Sequence, residues 1–387
     1  MNSALRLGFF YAAVFIGTGA SLPYMPVWFR THGLTGSQIG MLLAAPLLAR
    51  AITGPALAIW ADGFVLRRSP VALLLLASGM AYAAIGFTQG FQTWFLLWFV
   101  AGSLIATVTP LTDVLTLRRA GREDFNYGWP RGIGSAAYII ANVGAGVLLA
   151  RTSSDAILVW TVAAAFVASA AAVVLLPREP VSESGEALDR RARWRGVGDL
   201  LRDRTFMLAA VSIGLVQATH AFYYGFSALA WRREGLSEGM VGLLWGFAVA
   251  VEIVFLWFFA PWRKKVGPER LLVLGGVAAL IRWTAFAFSP PLVLLFPLQA
   301  LHTFTFAATF VGGLELIQRL SPPHAASAAQ TISSALSGGI LIGLATLASG
   351  VLFEHVGARG YLLMSAMAAL GLIGAVRLNR LAGRRVE

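Results

Sequence analysis

Along the chain, apolar runs of about twenty residues alternate with short polar connections, and each run is long enough to cross a bilayer as a helix. Twelve such runs are expected near residues 5–28, 37–60, 69–88, 92–117, 129–150, 156–176, 205–230, 239–260, 270–288, 292–318, 326–351 and 359–379. One connection breaks the rhythm: PREPVSESGEALDRRARWRGVGDLLRDR, from Pro177 to Arg204, is long, polar and charged. It cuts the runs into six and six. The pattern therefore predicts an all-α membrane protein, with twelve transmembrane helices in two pseudo-symmetric six-helix bundles. Residues 1–176 form the first, 177–204 a cytoplasmic linker and 205–387 the second. Many secondary transporters have this arrangement, with the site near the bilayer midplane.

Composition agrees with the pattern. Hydrophobic residues make up 58% and charged residues 12% of 387 positions, and the mean hydropathy of +0.73 excludes a soluble domain of this size. The first run continues past any small-residue cleavage site, so it reads as the first span and not as a cleavable signal. With no cysteine, disulfides, thiolate metal sites and thiol nucleophiles drop out.

Charge then sets the orientation. If both termini are cytoplasmic, 23 of the 30 lysines and arginines lie in inner segments, 5 in outer loops, and the other 2, Arg50 and Arg282, lie within spans. That asymmetry obeys the positive-inside rule, in the manner of a multi-pass protein of a bacterial inner membrane. The net charge of +12 thus sits beside anionic headgroups, and nucleic-acid binding is an unneeded reading. The partners expected are the bilayer, protons and a small-molecule substrate, with the chain acting as a monomer and without a cofactor or metal.

The charges inside the spans carry the chemistry. Arg50 lies mid-span in SQIGMLLAAPLLARAITGPALAIW, where a guanidinium costs several kcal/mol unless it faces a cavity or a partner. No acid stands at its depth. Three readings remain open: capture of a substrate carboxylate by two parallel hydrogen bonds, an unrecognised pairing, or capping of a helix broken near Pro46 or Pro55. Asp113 and Arg131 lie at nearly equal depth, roughly 6 Å from the inner edge by helical rise. They are expected to pair, either as a gate or as a fixed register contact. Glu252 and Arg282, roughly 12 and 18 Å from that edge, are expected to pair as well. Burial favours a neutral carboxylic acid and a nearby guanidinium favours the carboxylate, so Glu252 is the first candidate for proton coupling, against a permanent structural pair.

Other polar groups extend these pairs. His220 and His302 fall in spans seven and ten, where imidazole can relay protons or simply satisfy neighbours. Gln217 and Gln299 each stand three residues before a histidine and continue its helix face, and these four residues are candidate substrate contacts. Tyr24, Tyr223, Tyr224 and Phe226 are candidate aromatic walls for a substrate ring. Asp62, Asp113, Arg131 and Glu315 are the gating candidates, with Glu315 expected to pair with Arg319 or to face the interface.

Weak echoes link the halves. ADGFVLRRS keeps the aspartate and terminal basic pair of the major facilitator loop motif, and PWRKKVGPER occupies the matching place. Further segments are more specific: PYMPVWFRTHGLTGSQIGMLLAAPLLAR, PLTDVLTLRR, NYGWPRGIGS, QATHAFYYGFSALAW, VGLLWGFAVAVEIVF and LIRWTAF. In both halves and in order, they resemble signatures of the phenylpropionate permease group of the major facilitator superfamily. The resemblance implies the major facilitator fold and a proton-coupled uptake carrier for an aromatic monocarboxylate. In NYGWPRGIGS, Trp129 replaces the group's basic residue and Ile133 its tryptophan, so inner gating contacts are expected to differ. Alternatives are a carrier for another solute such as a nucleoside, sugar or siderophore, a drug/proton antiporter, or a membrane sensor. The chain offers no His-x-x-x-His, Asp-x-x-Asp, Gly-x-Ser-x-Gly or phosphate-binding loop for an enzyme or an ATP-driven pump.

Overall fold

Residues 2–179, 198–322 and 325–383 are described by the computed structural model. The middle of the expected linker, 180–197, and Arg384 and Arg385 of the basic tail lie outside the described residues. Apolar runs fold as helices because a helix satisfies every backbone hydrogen bond within its own segment, which hydrocarbon demands. The first six are α1 (Ser3–Thr31), α2 (Gly36–Asp62), α3 (Arg68–Gly86), α4 (Phe91–Glu123), α5 (Gly128–Leu149) and α6 (Asp155–Leu175). Then come α7 (Arg204–Arg233), α8 (Glu238–Phe258), α9 (Pro268–Ala287) and α10 (Leu292–Leu320). Helix α11 runs from Ala326–Ala335 through a π turn, Leu336–Leu341, into Ile342–Val356, and α12 is Tyr361–Gly383.

Among the described residues, eleven helical runs are long and apolar enough to cross a membrane, where twelve were expected. The difference is in the last run, Ala328–Ala382, which contains both of the final two expected spans. Its 55 residues would reach about 80 Å at helical rise, far beyond a hydrocarbon core of about 30 Å. The run breaks at Gly357, whose φ of +58° suits glycine, and a short 3-10 turn, Gly357–Gly360, follows.

The chain forms two compact units: one from the residues up to 179 with Gly225–Gly246, the other from 198–224 with 247–383. In the first unit α1 packs on α5 and α6, α3 on α4 and α6, and α2 on α4. Leu7, Phe10, Val14, Val71, Leu75, Val108, Leu115 and Ala172 build its core. In lipid this cluster gains from close fit and dispersion more than from leaving water. At one end, arginines take up the free carbonyls where α6 stops: Arg6 donates to Val174 at 2.9 Å and Arg68 to Val173 at 2.8 Å. Just beyond, buried Glu179 accepts from Arg119 at 3.2 Å, with Arg122 at 3.9 Å, and its carbonyl takes the Arg67 amide at 2.9 Å. The basic residues of that end therefore hold structure as well as charge.

The segment Gly225–Gly246 joins this unit through a crossing too tight for side chains. A Cβ at Gly242 would clash with the Asn142 carbonyl oxygen, and one at Gly146 with that of Glu238. The Tyr24 hydroxyl donates to the same Glu238 carbonyl at 3.0 Å.

In the second unit, α12 packs on α9 and on the first half of α7, and α9 packs on α10. Phe255, Leu271, Ala307 and Ala308 form a small core. Helix α10 is not regular: it passes through a π turn, Thr303–Ala308, immediately after His302. A π turn inserts one residue per turn and re-aims its neighbours, and such turns gather at functional sites.

Candidate functional site: a buried charge network in the second unit

Arg282 is fully buried, so its charge needs acceptors at close range. Residues from α10 provide them. One terminal nitrogen donates to His302 Nδ1 at 3.0 Å and to Thr305 Oγ1 at 3.2 Å, and the other donates to Gln299 Oε1. The guanidinium also lies 4.4 Å from the Trp283 ring centroid and 4.8 Å from that of Tyr223, distances at which ring faces attract a cation. Gln299 is held in turn by donating to the Tyr223 hydroxyl at 3.0 Å.

The expected Glu252–Arg282 pair is replaced by a chain of three. Glu252 Oε2 lies 3.4 Å from His302 Nε2, and Arg282 meets the opposite ring nitrogen. The imidazole stands between the two charges because His302 projects from α10 at the point where the π turn begins. Its partners fix its protons: arginine has no acceptor, so Nδ1 must present its lone pair, and the ring proton sits on Nε2, facing the carboxylate. His302, expected as a substrate contact, is thus the link between the two groups proposed for proton coupling. With Arg282 positive, Glu252 negative and the ring neutral, the chain sums to zero charge.

His220 continues the network. Its Nδ1 faces the Gln217 carbonyl at 2.9 Å and its Nε2 faces Thr305 Oγ1 at 3.1 Å. Tyr224 stacks on its ring at 5.5 Å, and the Gln217 amide donates to the Phe306 carbonyl at 3.1 Å. The structure therefore brings Gln217, His220, Tyr223, Tyr224, Glu252, Arg282, Gln299 and His302 into one cluster. Thr305, which joins His220 to Arg282, was missed; Gln299, His302 and Thr305 recur at intervals of three in QALHTFT, and that spacing was the available signal. Trp283 was missed because it reads as another apolar residue.

The candidates of the first unit behave differently. Arg50, half-buried on α2, pairs with no side chain among the described residues. Tyr24 is fully buried and held at the Glu238 carbonyl. Asp113 does not pair with Arg131. Its Oδ1 accepts from Tyr11 at 2.5 Å and Tyr127 at 2.9 Å, while the Arg131 guanidinium lies 4.6 Å from the Phe15 ring centroid and 5.4 Å from that of Tyr11. Two phenols reach the carboxylate and aromatic faces take the cation. Burial and the Asp113 carboxylate push Tyr127 up to about 12, so its hydroxyl stays a donor at neutral pH. Asp62 and Glu315 are exposed and have no partner among the described residues. Arg319, expected beside Glu315, pairs instead with Glu269, which is buried at the start of α9.

Long apolar helices with charges inside them mark a multi-pass membrane protein, and comparison with known proteins makes its class that of a transporter. The profile of the MFS_1 like family matches residues 4–364, and the chain belongs to that family. It is 28% identical over 371 residues to the probable 3-phenylpropionic acid transporter of Escherichia coli, covering 95% of this chain and 94% of that protein. It is equally identical, 28% over 377 residues, to the maltose permease of Geobacillus stearothermophilus, covering 94% and 91%. Among solved structures, the nucleoside transporter NupG superposes with a TM-score of 0.77 at 15% identity, covering 98% of this chain and 99% of that one. An auto inhibited POT family peptide transporter gives a TM-score of 0.72 at 12% identity, covering 99% and 97%. At those identities the structures speak to the fold alone.

Proposed function

We propose that this transporter is a proton symporter importing an aromatic monocarboxylate such as 3-phenylpropionate. The observation that carries the cargo class is Arg50, a half-buried guanidinium with no described partner, because a permanent cation in hydrocarbon favours an anion that comes and goes. The Escherichia coli relative, named for 3-phenylpropionic acid, supports the same class.

Proton coupling rests on the chain Glu252, His302 and Arg282. Protonating Glu252 takes that chain from zero to one positive charge, a state unfavourable in a low-dielectric site. Loading a carboxylate together with a proton adds no net charge, so each passenger favours the other. His302 directs its Nε2 proton at the carboxylate and holds Glu252 as the anion, so a proton arriving at Glu252 loosens that contact. Gln217, His220, Tyr223, Tyr224 and Gln299 would line the cargo's path, and Tyr24, Asp113 and Arg131 would set the gates.

In this reading twelve helices form two six-helix bundles, 1–176 and 205–387, with both termini on the cytoplasmic face of a bacterial inner membrane, and the chain works as a monomer. The equal identity to a maltose permease favours one competing reading, a sugar carrier. Purified protein in vesicles decides between them: acidifying the outside should drive accumulation of labelled 3-phenylpropionate and leave maltose at equilibrium. Failure of every aryl carboxylate to accumulate, or uphill movement of maltose, overturns the proposal.

A further inference from the structure

We propose that the second unit carries a binding site for one anionic phospholipid of the phosphatidylglycerol type, in a cavity where the ends of α7, α9, α10 and α12 meet. The cavity, of about 580 Å³, is lined by Thr205, Glu269, Arg270, Arg319 and Asn379 among the leucines of α10 and α12. Its polar groups have donors to spare. Arg270 is exposed and Asn379 half-buried, and neither side chain has a partner among the described residues. Arg319 gives one terminal nitrogen to Glu269, and its other two nitrogens meet no described acceptor. Guanidinium and amide N–H groups brought to one cavity by three helices suit the oxygens of a phosphate.

Depth assigns that phosphate to a bilayer. Helix α9 has 20 residues, about 30 Å at helical rise, which is the thickness of a hydrocarbon core. Glu269 and Arg270 stand in its first turn, so they lie at headgroup level. The rest of the wall is apolar: Val266, Leu316, Leu320, Leu378 and Leu381, with Leu316 and Leu378 buried as its floor. A free phosphate leaves those walls in water, whereas a phospholipid sets its glycerol esters and first methylenes against them.

Charge selects among lipids. Two arginines face one carboxylate, and that carboxylate is buried and already taken by Arg319, so the cavity keeps one positive charge. Lys265 precedes Val266 and Arg380 follows Asn379 in the chain, and both add to it. A zwitterionic lipid would bring its ammonium to a cavity with no free carboxylate. Phosphatidylglycerol brings one negative charge and two hydroxyls, which can donate to the Asn379 amide oxygen and to Thr205 Oγ1. Basic pockets between membrane helices take such headgroups. A phosphate shared by Arg270, Arg319 and Asn379 ties α9 to α10 and α12, whatever the cargo.

The test is native mass spectrometry of the full chain released from a neutral detergent, with dioleoyl phosphatidylglycerol, dioleoyl phosphatidylcholine or glycerol phosphate added. The natural protein should keep one phosphatidylglycerol at concentrations where phosphatidylcholine is shed. Arg270→Gln should weaken that binding about tenfold, the worth of one charge-assisted hydrogen bond, and Asn379→Leu should weaken it with the charge intact. Lys264→Gln removes the same charge from outside the cavity lining and should leave the affinity unchanged, which separates a built site from a basic surface. Because Arg270 is exposed and partnerless, its replacement should leave the melting temperature of the lipid-free protein where it was. Equal retention of the two lipids, displacement of phosphatidylglycerol by glycerol phosphate, which would make the ligand a soluble anion, or equal weakening in Arg270→Gln and Lys264→Gln overturns the proposal.

Discussion

Replacing Glu252 by glutamine tests the proton reading most directly, because it changes charge and little else. His302 Nε2 would still find a carbonyl oxygen at about the 3.4 Å now spanned to the carboxylate. The Arg282 contacts to His302, Thr305 and Gln299 need not move. What changes is that the chain is fixed at one positive charge, the protonated state made permanent. For one proton per cargo, each pH unit supplies about 1.4 kcal/mol, so a step of about two units should drive the natural protein to roughly hundredfold accumulation. Glu252→Gln should equilibrate cargo at a ratio near one while still exchanging labelled for unlabelled cargo across the vesicle membrane. Glu252→Ala separates chemistry from structure: it leaves the His302 Nε2 donor without its acceptor, a loss of about 1–3 kcal/mol, visible as a lower melting temperature. Proton-driven accumulation by Glu252→Gln at the natural level would refute the assignment.

Arg50→Ala should weaken carboxylate binding by at least tenfold, one charge-assisted hydrogen bond's worth, with no loss of melting temperature; calorimetric titration and a thermal scan check the two halves. Tyr11→Phe removes a 2.5 Å donor from Asp113 and should cost about 1.5–3 kcal/mol, read in the midpoint of thermal unfolding. Tyr127 binds its proton more tightly in the folded state, so that contribution is complete below its ordinary value of 10 and is lost as pH rises toward about 12; Tyr127→Phe should unfold less steeply over that window in alkaline circular-dichroism titrations. Gly242→Ala would drive a Cβ into the Asn142 carbonyl oxygen, and should separate α5 from α8, measured as faster labelling of a cysteine placed on that face of α5.

The fold was legible because hydrocarbon allows so few solutions: a run of twenty apolar residues has to be a helix, and polar breaks mark its ends. Gly357 shows the limit, since one left-handed residue parts a run that hydropathy alone reads as continuous or as two. The site was legible to one dimension. Depth along a helix suggested Glu252 with Arg282 and Asp113 with Arg131, yet it carries nothing about rotation around the axis. The π turn after His302 altered that rotation and put an imidazole between the first pair; the phenols of Tyr11 and Tyr127 took the carboxylate of the second. Glu179 was read as linker, because nothing in PREP signals that a carboxylate will be drawn back among arginines from α4.

The two arginines within spans show how a membrane chain uses one residue type in opposite ways. Arg282 is surrounded by neutral acceptors and ring faces, with Glu252 one imidazole away, so its charge is already balanced when no cargo is present. A carboxylate arriving there would have to displace Gln299 or His302 and leave those groups unpaired, a cost of about 1–3 kcal/mol each. At Arg50 no described side chain has to be displaced, and an arriving carboxylate can gain both hydrogen bonds of a bidentate contact. Sites that must load and unload need the second kind of cation, and sites that must transfer a proton while keeping their geometry need the first. That contrast is the physical reason to place the cargo with α2 and the proton with α8, α9 and α10.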